Sequence, residues 1–156
     1  MTSAQAAVEA VRKTVTVNCP VEHAFRTFTE GIGSWWPLHT HSISVMDDGS
    51  GAPETAVMEP RVGGRLFERT NDGRECDWGS VLVWEPPHRI ALEWRVNPDN
   101  PPTEIEVRFS ADGDGTRVEL EHRGWDRFET RGPETRDGYN SGWETVLGEF
   151  VNAIDR

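Results

Sequence analysis

Few residues in this chain have the type and placement to do chemistry, and His122 comes first. It follows Val118 and Leu120 at alternate positions, while Arg117, Glu119 and Glu121 take the places between them. Alternation of this kind marks a half-buried strand, so the imidazole is expected to point inward. A neutral imidazole offers one donor and one acceptor, either to a ligand or to a core neighbour. Tyr139 and Trp143 lie one turn apart on an apolar helical stripe, and a buried tyrosine needs a partner for its hydroxyl. His39 and His41 form an H-x-H that would begin a metal site if it lay on a strand. The residues around it read as loop and no third ligand follows by spacing, so no metal is expected. Glu59, Arg61, Arg65, Glu68 and Arg69 form a charged cluster that cross-strand ion pairs explain. Glu68 shares the parity of Leu66, and Phe67 that of Arg65 and Arg69, so parity leaves their directions open. An inward charge there, or at Asp77, would point to function, because burying a charge without a partner is costly.

These side chains need elements to hold them. Residues 11–18 read as a β-branched strand with Val11, Val15 and Val17 on one face. Pro20 suits the first turn of a helix, along which Val21, Ala24, Phe25 and Phe28 make one apolar stripe closed by Gly31. Residues 31–37, with the pair Trp35-Trp36 before Pro37, suggest a second short helix or turn. The two indoles there are expected to cap the core or to gate a cavity. Residues 38–53 read as an irregular, mobile loop able to serve as a lid. Strands follow over 55–59, 65–70, 75–85 and 89–96, with turns at Asn71-Asp72-Gly73 and Pro86-Pro87-His88. Trp78, Trp84 and Trp94 lie on these strands. Ile105, Val107 and Phe109 alternate with charged residues, as Val118, Leu120 and His122 do after the turn Asp112-Gly113-Asp114-Gly115. A charged loop over 126–138 then leads to a long helix beginning near Asp137 or Gly138. Its stripe is Tyr139, Trp143, Val146, Leu147, Phe150 and Ile154.

A single long helix with a wide apolar stripe needs a sheet to bury it, so the expected fold is α+β, a curved antiparallel sheet wrapped around the last helix. Such a sheet does not close tightly at both ends and leaves an apolar cavity. Residues 11–156 are expected to form one domain, with 1–10 a flexible N-terminal segment. The net charge is −11 over 156 residues, with no basic block, which argues against nucleic-acid binding. No apolar run approaches the ~20 residues that cross a bilayer, and the first residues lack a signal-peptide core, so a cytoplasmic protein without membrane insertion is expected. Cys19 and Cys76 are expected to be free thiols. There is no phosphate-binding glycine loop, no G-x-S-x-G and no catalytic cysteine context, and no cofactor is expected.

The order of elements and the words along them resemble the START/Bet v 1-like (SRPBCC) superfamily with its helix-grip fold. The chain is most similar there to the bacterial branch resembling the C-terminal domain of activators of Hsp90 ATPase. The words that carry the likeness are Trp35-Trp36-Pro37, residues 59–65 (EPRVGGR), 78–87 (WGSVLVWEPP), 121–125 (EHRGW) and 138–143 (GYNSGW). The resemblance implies a fold shared by lipid carriers, receptors, cyclases and co-chaperone pieces, and it carries no catalytic motif onto these positions.

The reading favoured by the residues is a binding protein, not an enzyme. A small hydrophobic or aromatic molecule (a lipid, polyketide or steroid-like compound) would lie in a cavity walled by Trp94, Phe109, Leu120, His122, Tyr139 and Trp143. A cyclase- or hydrolase-like enzyme would need His122 and a second titratable group such as Tyr139. A chaperone-ATPase interaction module rests on the resemblance and would expose an apolar patch around Trp35-Trp36. A homodimer or a protein partner stays open.

Overall fold

The computed structural model describes residues 8–38, 40–41, 53–97 and 99–155. Among them, seven strands make one antiparallel sheet. They are β1 (Val11–Val17), β2 (Pro53–Met58), β3 (Arg65–Thr70), β4 (Glu75–Glu85), β5 (Arg89–Trp94), β6 (Thr103–Asp112) and β7 (Gly115–Arg123). Their order in space is β1-β7-β6-β5-β4-β3-β2. All connections are hairpins except the first, where β1 lies beside β7 with Val11 opposite His122 and Val15 opposite Val118. Helix α1 (Val21–Phe28) and a 3-10 turn (Ile32–Ser34) lie in the connection from β1 towards β2, and helix α2 (Gly132–Asp155) follows β7. The sheet curls around α2, as the helix-grip expectation required. The expected lid over 38–53 falls mainly outside the described residues, as does His39.

Local sequence explains most of these elements. Along β7, Thr116, Val118, Leu120 and His122 are buried while Arg117 and Glu119 are exposed, the period of two expected of a sheet covered on one face. In α1 the stripe Ala24, Phe25 and Phe28 is buried, and the Thr29 hydroxyl donates to the Phe25 carbonyl at 2.8 Å where the helix ends. The hairpin turn at Gly73 has φ 87°, a backbone region open to glycine.

Helix α2 begins earlier than the sequence suggests. Residues 126–138 are not a loop: a 3-10 helix spans Trp125–Arg131, and α2 continues from Gly132. Pro133 sits in the first turn, where its missing N–H costs nothing. A Cβ on Gly132 would lie 2.5 Å from the Trp125 carbonyl oxygen, so glycine is what lets the two helices join.

The space between sheet and helices has two halves. In one, Phe25, Phe28, Phe109 and Phe150 meet mostly edge to face, with Phe28 central at 5.7 Å from Phe109 and 5.2 Å from Phe150. That half is filled. In the other, Trp36, Trp78, Trp94 and Trp143 stand 4.9 to 6.3 Å apart between ring centroids. Gly79, opposite Trp94 in the ladder, brings β4 and β5 together there, since a Cβ on it would fall 1.8 Å from the Glu93 carbonyl oxygen.

Gly79→Ala should therefore cost about 3 kcal/mol by overpacking against backbone that cannot step aside. Gly148→Ala on the open side of α2, where a Cβ meets nothing, should instead gain up to about 1 kcal/mol from helix propensity. Urea unfolding of the two variants would check this pair of opposite signs.

Candidate functional site

The tryptophan half encloses a cavity of about 340 Å³. Trp78 and Trp94 supply its sheet side, Trp36 and His41 the segment after α1, and α2 the remainder. The helix contributes Thr135, Tyr139, Trp143 and Val146, together with Gly138 and Gly142. The two glycines stand one turn apart and leave the helix backbone bare towards the cavity. A Cβ on Gly138 would meet nothing within 4 Å, and one on Gly142 only His41 Nε2 at 3.9 Å.

The polar edges of the indoles are engaged by protein partners. Trp36 Nε1 donates to the His41 carbonyl at 2.7 Å, and Trp78 Nε1 to Glu68 Oε1 at 2.7 Å. Trp94 Nε1 donates to the Tyr139 hydroxyl oxygen at 3.0 Å, and Trp143 Nε1 to His122 Nδ1 at 3.0 Å. Every indole around the cavity thus has its N–H engaged, and what remains towards the interior is ring carbon.

His122 is fully buried beneath this wall. Nδ1 accepts from Trp143, so Nε2 carries the hydrogen and donates to Thr103 Oγ1 at 2.7 Å. The Thr103 hydroxyl in turn reaches the Trp94 carbonyl at 3.4 Å. Burial pushes the imidazole pKa down to about 3, and both ring nitrogens are already satisfied. Its role is to tie α2 to β5, β6 and β7. Tyr139 packs on the His122 ring at 4.9 Å. Burial raises its pKa against the opposing hydrogen bond from Trp94, so the phenol keeps its proton at neutral pH. Its oxygen accepts from Trp94, which leaves that proton to donate.

Of the six expected cavity residues, Trp94, Tyr139 and Trp143 line the cavity. Three do not. Phe109 belongs to the phenylalanine half beside Phe25 and Phe28, Leu120 is packed in the core, and His122 lies behind Trp143 and Tyr139. Trp35 and Trp36 are 3% and 8% exposed, so they form no exposed patch, and Trp36 is part of the wall. Sequence reasoning missed Trp78, His41 and the two glycines. The signal for the glycines was present: two, four residues apart, within the stripe that carries Tyr139 and Trp143.

The charged cluster also resolves. Glu68 points inward and is fully buried against Trp78, whereas Arg65 pairs outward with Asp77 at 2.7 Å and with Glu75 at 3.1 Å. Asp77 is exposed. β3 itself alternates regularly, with Leu66, Glu68 and Thr70 inward; the bulge lies on β4, where Trp78 is the extra residue between Asp77 and Gly79, and it breaks the parity that Asp77 shares with Gly79 and Val81. Among the described residues no group of histidine, cysteine and carboxylate side chains could hold a metal ion.

The burial of His122 sets a pH dependence. Unfolded, its imidazole takes up a proton near 6.5; folded, only near 3. Unfolding therefore binds a proton between these values, and stability falls as pH drops from about 6.5 towards 3. Glu106, held down to about 2, adds to the loss only below its ordinary value of 4.5. Denaturation between pH 7 and 5 isolates the histidine. His122→Phe should flatten that slope and cost about 1–3 kcal/mol at pH 7 by orphaning the Trp143 N–H.

A family model described as "Activator of Hsp90 ATPase homolog 1-like protein" matches residues 18–155. Among curated proteins, none matches. Solved structures do. The chain is similar to the anthrahydroquino-γ-pyrone synthase Txn09, at 35% identity over 95% of this chain and 98% of that one, with a TM-score of 0.61. It is similar to CalC, a self-sacrificing resistance protein from Micromonospora echinospora, at 31% identity over 94% of both chains, with a TM-score of 0.65. The Aha1 dimer from Colwellia psychrerythraea shares the fold at 18% identity, covering 94% of this chain and 96% of that one, with a TM-score of 0.67. By its sequence and its helix-grip architecture, the chain belongs to the Activator of Hsp90 ATPase homolog 1-like family.

Proposed function

We propose that the protein binds a small, flat, largely apolar molecule of aromatic polyketide type in the cavity between the sheet and α2. The observation that carries this reading is the wall itself: four indoles with every N–H engaged elsewhere, facing two glycines. Such a surface offers aromatic faces for stacking and few polar anchors, the usual make-up of a small-molecule site. A volume of about 340 Å³ lies at the lower end of the range for ligand pockets. It suits a few fused rings better than a long acyl chain or a steroid with its side chain. The similarity to Txn09, whose name specifies a fused aromatic product, supports the same ligand class.

A second reading is catalysis on such a molecule in the same cavity. The observation in its favour is that Txn09, a synthase, is 35% identical over nearly the whole chain. The interaction-module reading has less support, because Trp35 and Trp36 are buried; the exposed large apolar residues among those described are Val62 and Leu82.

Titration with a panel of anthraquinones, followed by tryptophan fluorescence, tests the binding reading. Micromolar affinity is expected. Gly142→Leu should abolish the response by filling the cavity from the helix side. The same substitution should leave the fold as stable or up to about 1 kcal/mol more stable, since leucine favours a helix over glycine. No response from the wild type to any fused-ring compound at micromolar concentration would defeat the reading.

A further inference from the structure

The cavity wall contains two titratable side chains among the described residues, Tyr139 and His41, and His41 bonds through its ring to its neighbour Thr40. Its backbone is fixed, since Trp36 Nε1 donates to its carbonyl and its own N–H donates to the Pro37 carbonyl at 2.9 Å. Its ring is fixed too. Nδ1 lies 2.7 Å from Thr40 Oγ1, and the Thr40 hydroxyl has the Pro37 carbonyl at 3.3 Å to receive its hydrogen. Thr40 can therefore accept from Nδ1–H, which leaves the Nε2 lone pair directed over Gly142 into the cavity. Gly142 stands three residues from Tyr139, and such residues are neighbours on one face of a helix. The cavity thus has a proton acceptor beside Gly142 and a proton donor three residues earlier at Tyr139, on a mostly apolar wall where Thr135 is the other polar side chain.

We propose that His41 is the proton acceptor of this site, taking the proton of an acidic aromatic hydroxyl on the bound molecule, while Tyr139 donates to a carbonyl on the same ring system. The inference rests on the binding reading above. In the transfer, the O–H bond of the phenol breaks and an N–H bond forms at Nε2. The ligand becomes a phenolate, and the imidazolium keeps donating its Nδ1–H to Thr40 Oγ1, whose own proton stays on that oxygen and is donated to the Pro37 carbonyl. The occupant class is thereby narrowed to hydroxylated ring systems with a conjugated carbonyl. Plain aromatic hydrocarbons would be held by stacking alone.

Three probes separate this inference from the reading beneath it: 9,10-anthraquinone, 2-methoxyanthraquinone and 2-hydroxyanthraquinone. The last alone has a proton to give, and its phenolate absorbs at longer wavelength. Bound to the wild type, 2-hydroxyanthraquinone should show the phenolate band at a pH where the free compound is still neutral. His41→Gln should remove that band shift and weaken binding of 2-hydroxyanthraquinone by about 3- to 10-fold, the worth of one hydrogen bond. It should leave 2-methoxyanthraquinone unaffected. Tyr139→Phe should weaken all three probes and keep the band shift. An unchanged phenolate band in His41→Gln, with binding retained, would overturn the role of His41 and spare the binding reading. Failure of all three probes to bind would overturn both.

Discussion

A buried indole must place its N–H, and six of the seven tryptophans here are buried. An unpaired buried donor costs about 1–3 kcal/mol, so six of them would exceed the margin by which a domain of this size is stable. Each has a partner. Trp35 uses the Thr27 carbonyl, Trp125 the His122 carbonyl, and the four around the cavity use His41, Glu68, Tyr139 and His122. Except for the Trp36–His41 bond within one segment, the partners lie on different elements, so the bonds act as staples. Trp143 and Trp94 fasten α2 to the sheet, Trp78 joins β4 to β3, and Trp35 fastens the 3-10 turn to α1. Because the polar edge of each ring is spoken for on one side, its carbon is left for the other. The cavity is the space those carbon edges and faces enclose.

The sheet and its wrap around α2 were legible, because strand parity and a helical stripe report directly which face is dry. Ile105, Val107 and Phe109 and Val118, Leu120 and His122 point inward as their alternation requires. Parity does not say how far along the sheet a residue lies relative to α1. That distance decides whether an inward residue meets the phenylalanines or the cavity, and it separates Phe109 from Trp94. His41 was legible as a histidine in an H-x-H, a pattern that suggests metal, and only its packing over Gly142 gives it another use. The direction of Glu68 was hidden because each face of β3 mixes charged and apolar residues, Leu66 with Glu68 on one and Phe67 with Arg65 and Arg69 on the other, and the first turns of α2 by Gly132-Pro133, which reads as loop punctuation although proline is at ease at a helix start.

The outward face of the sheet shows how an acidic chain keeps its charges quiet. Glu106 is largely buried there, yet Arg89, Arg123 and Arg108 all bond its carboxylate, and together they outweigh the burial that would otherwise raise its pKa. Arg123 reaches on to Glu104 and Glu121, and Glu121 to Arg12. A shallow groove over β1, β6 and β7 is lined by these paired groups and is electrostatically satisfied. Phe67, which shares the outward face of β3 with Arg65 and Arg69, is covered by the guanidinium of Arg65 at 4.1 Å and of Arg69 at 5.6 Å.

The engaged indole N–H groups also decide how water behaves in the cavity. An interior water is held by two to four polar partners, and a wall of ring carbon with Tyr139 and His41 at one side supplies few. Water displaced from so apolar a wall would regain hydrogen bonds in bulk, a favourable enthalpy. An aromatic occupant entering this space would release heat on binding near room temperature, and the heat released would grow with temperature as apolar surface is removed from water. The tryptophans thus set a calorimetric character for the site before any ligand is named.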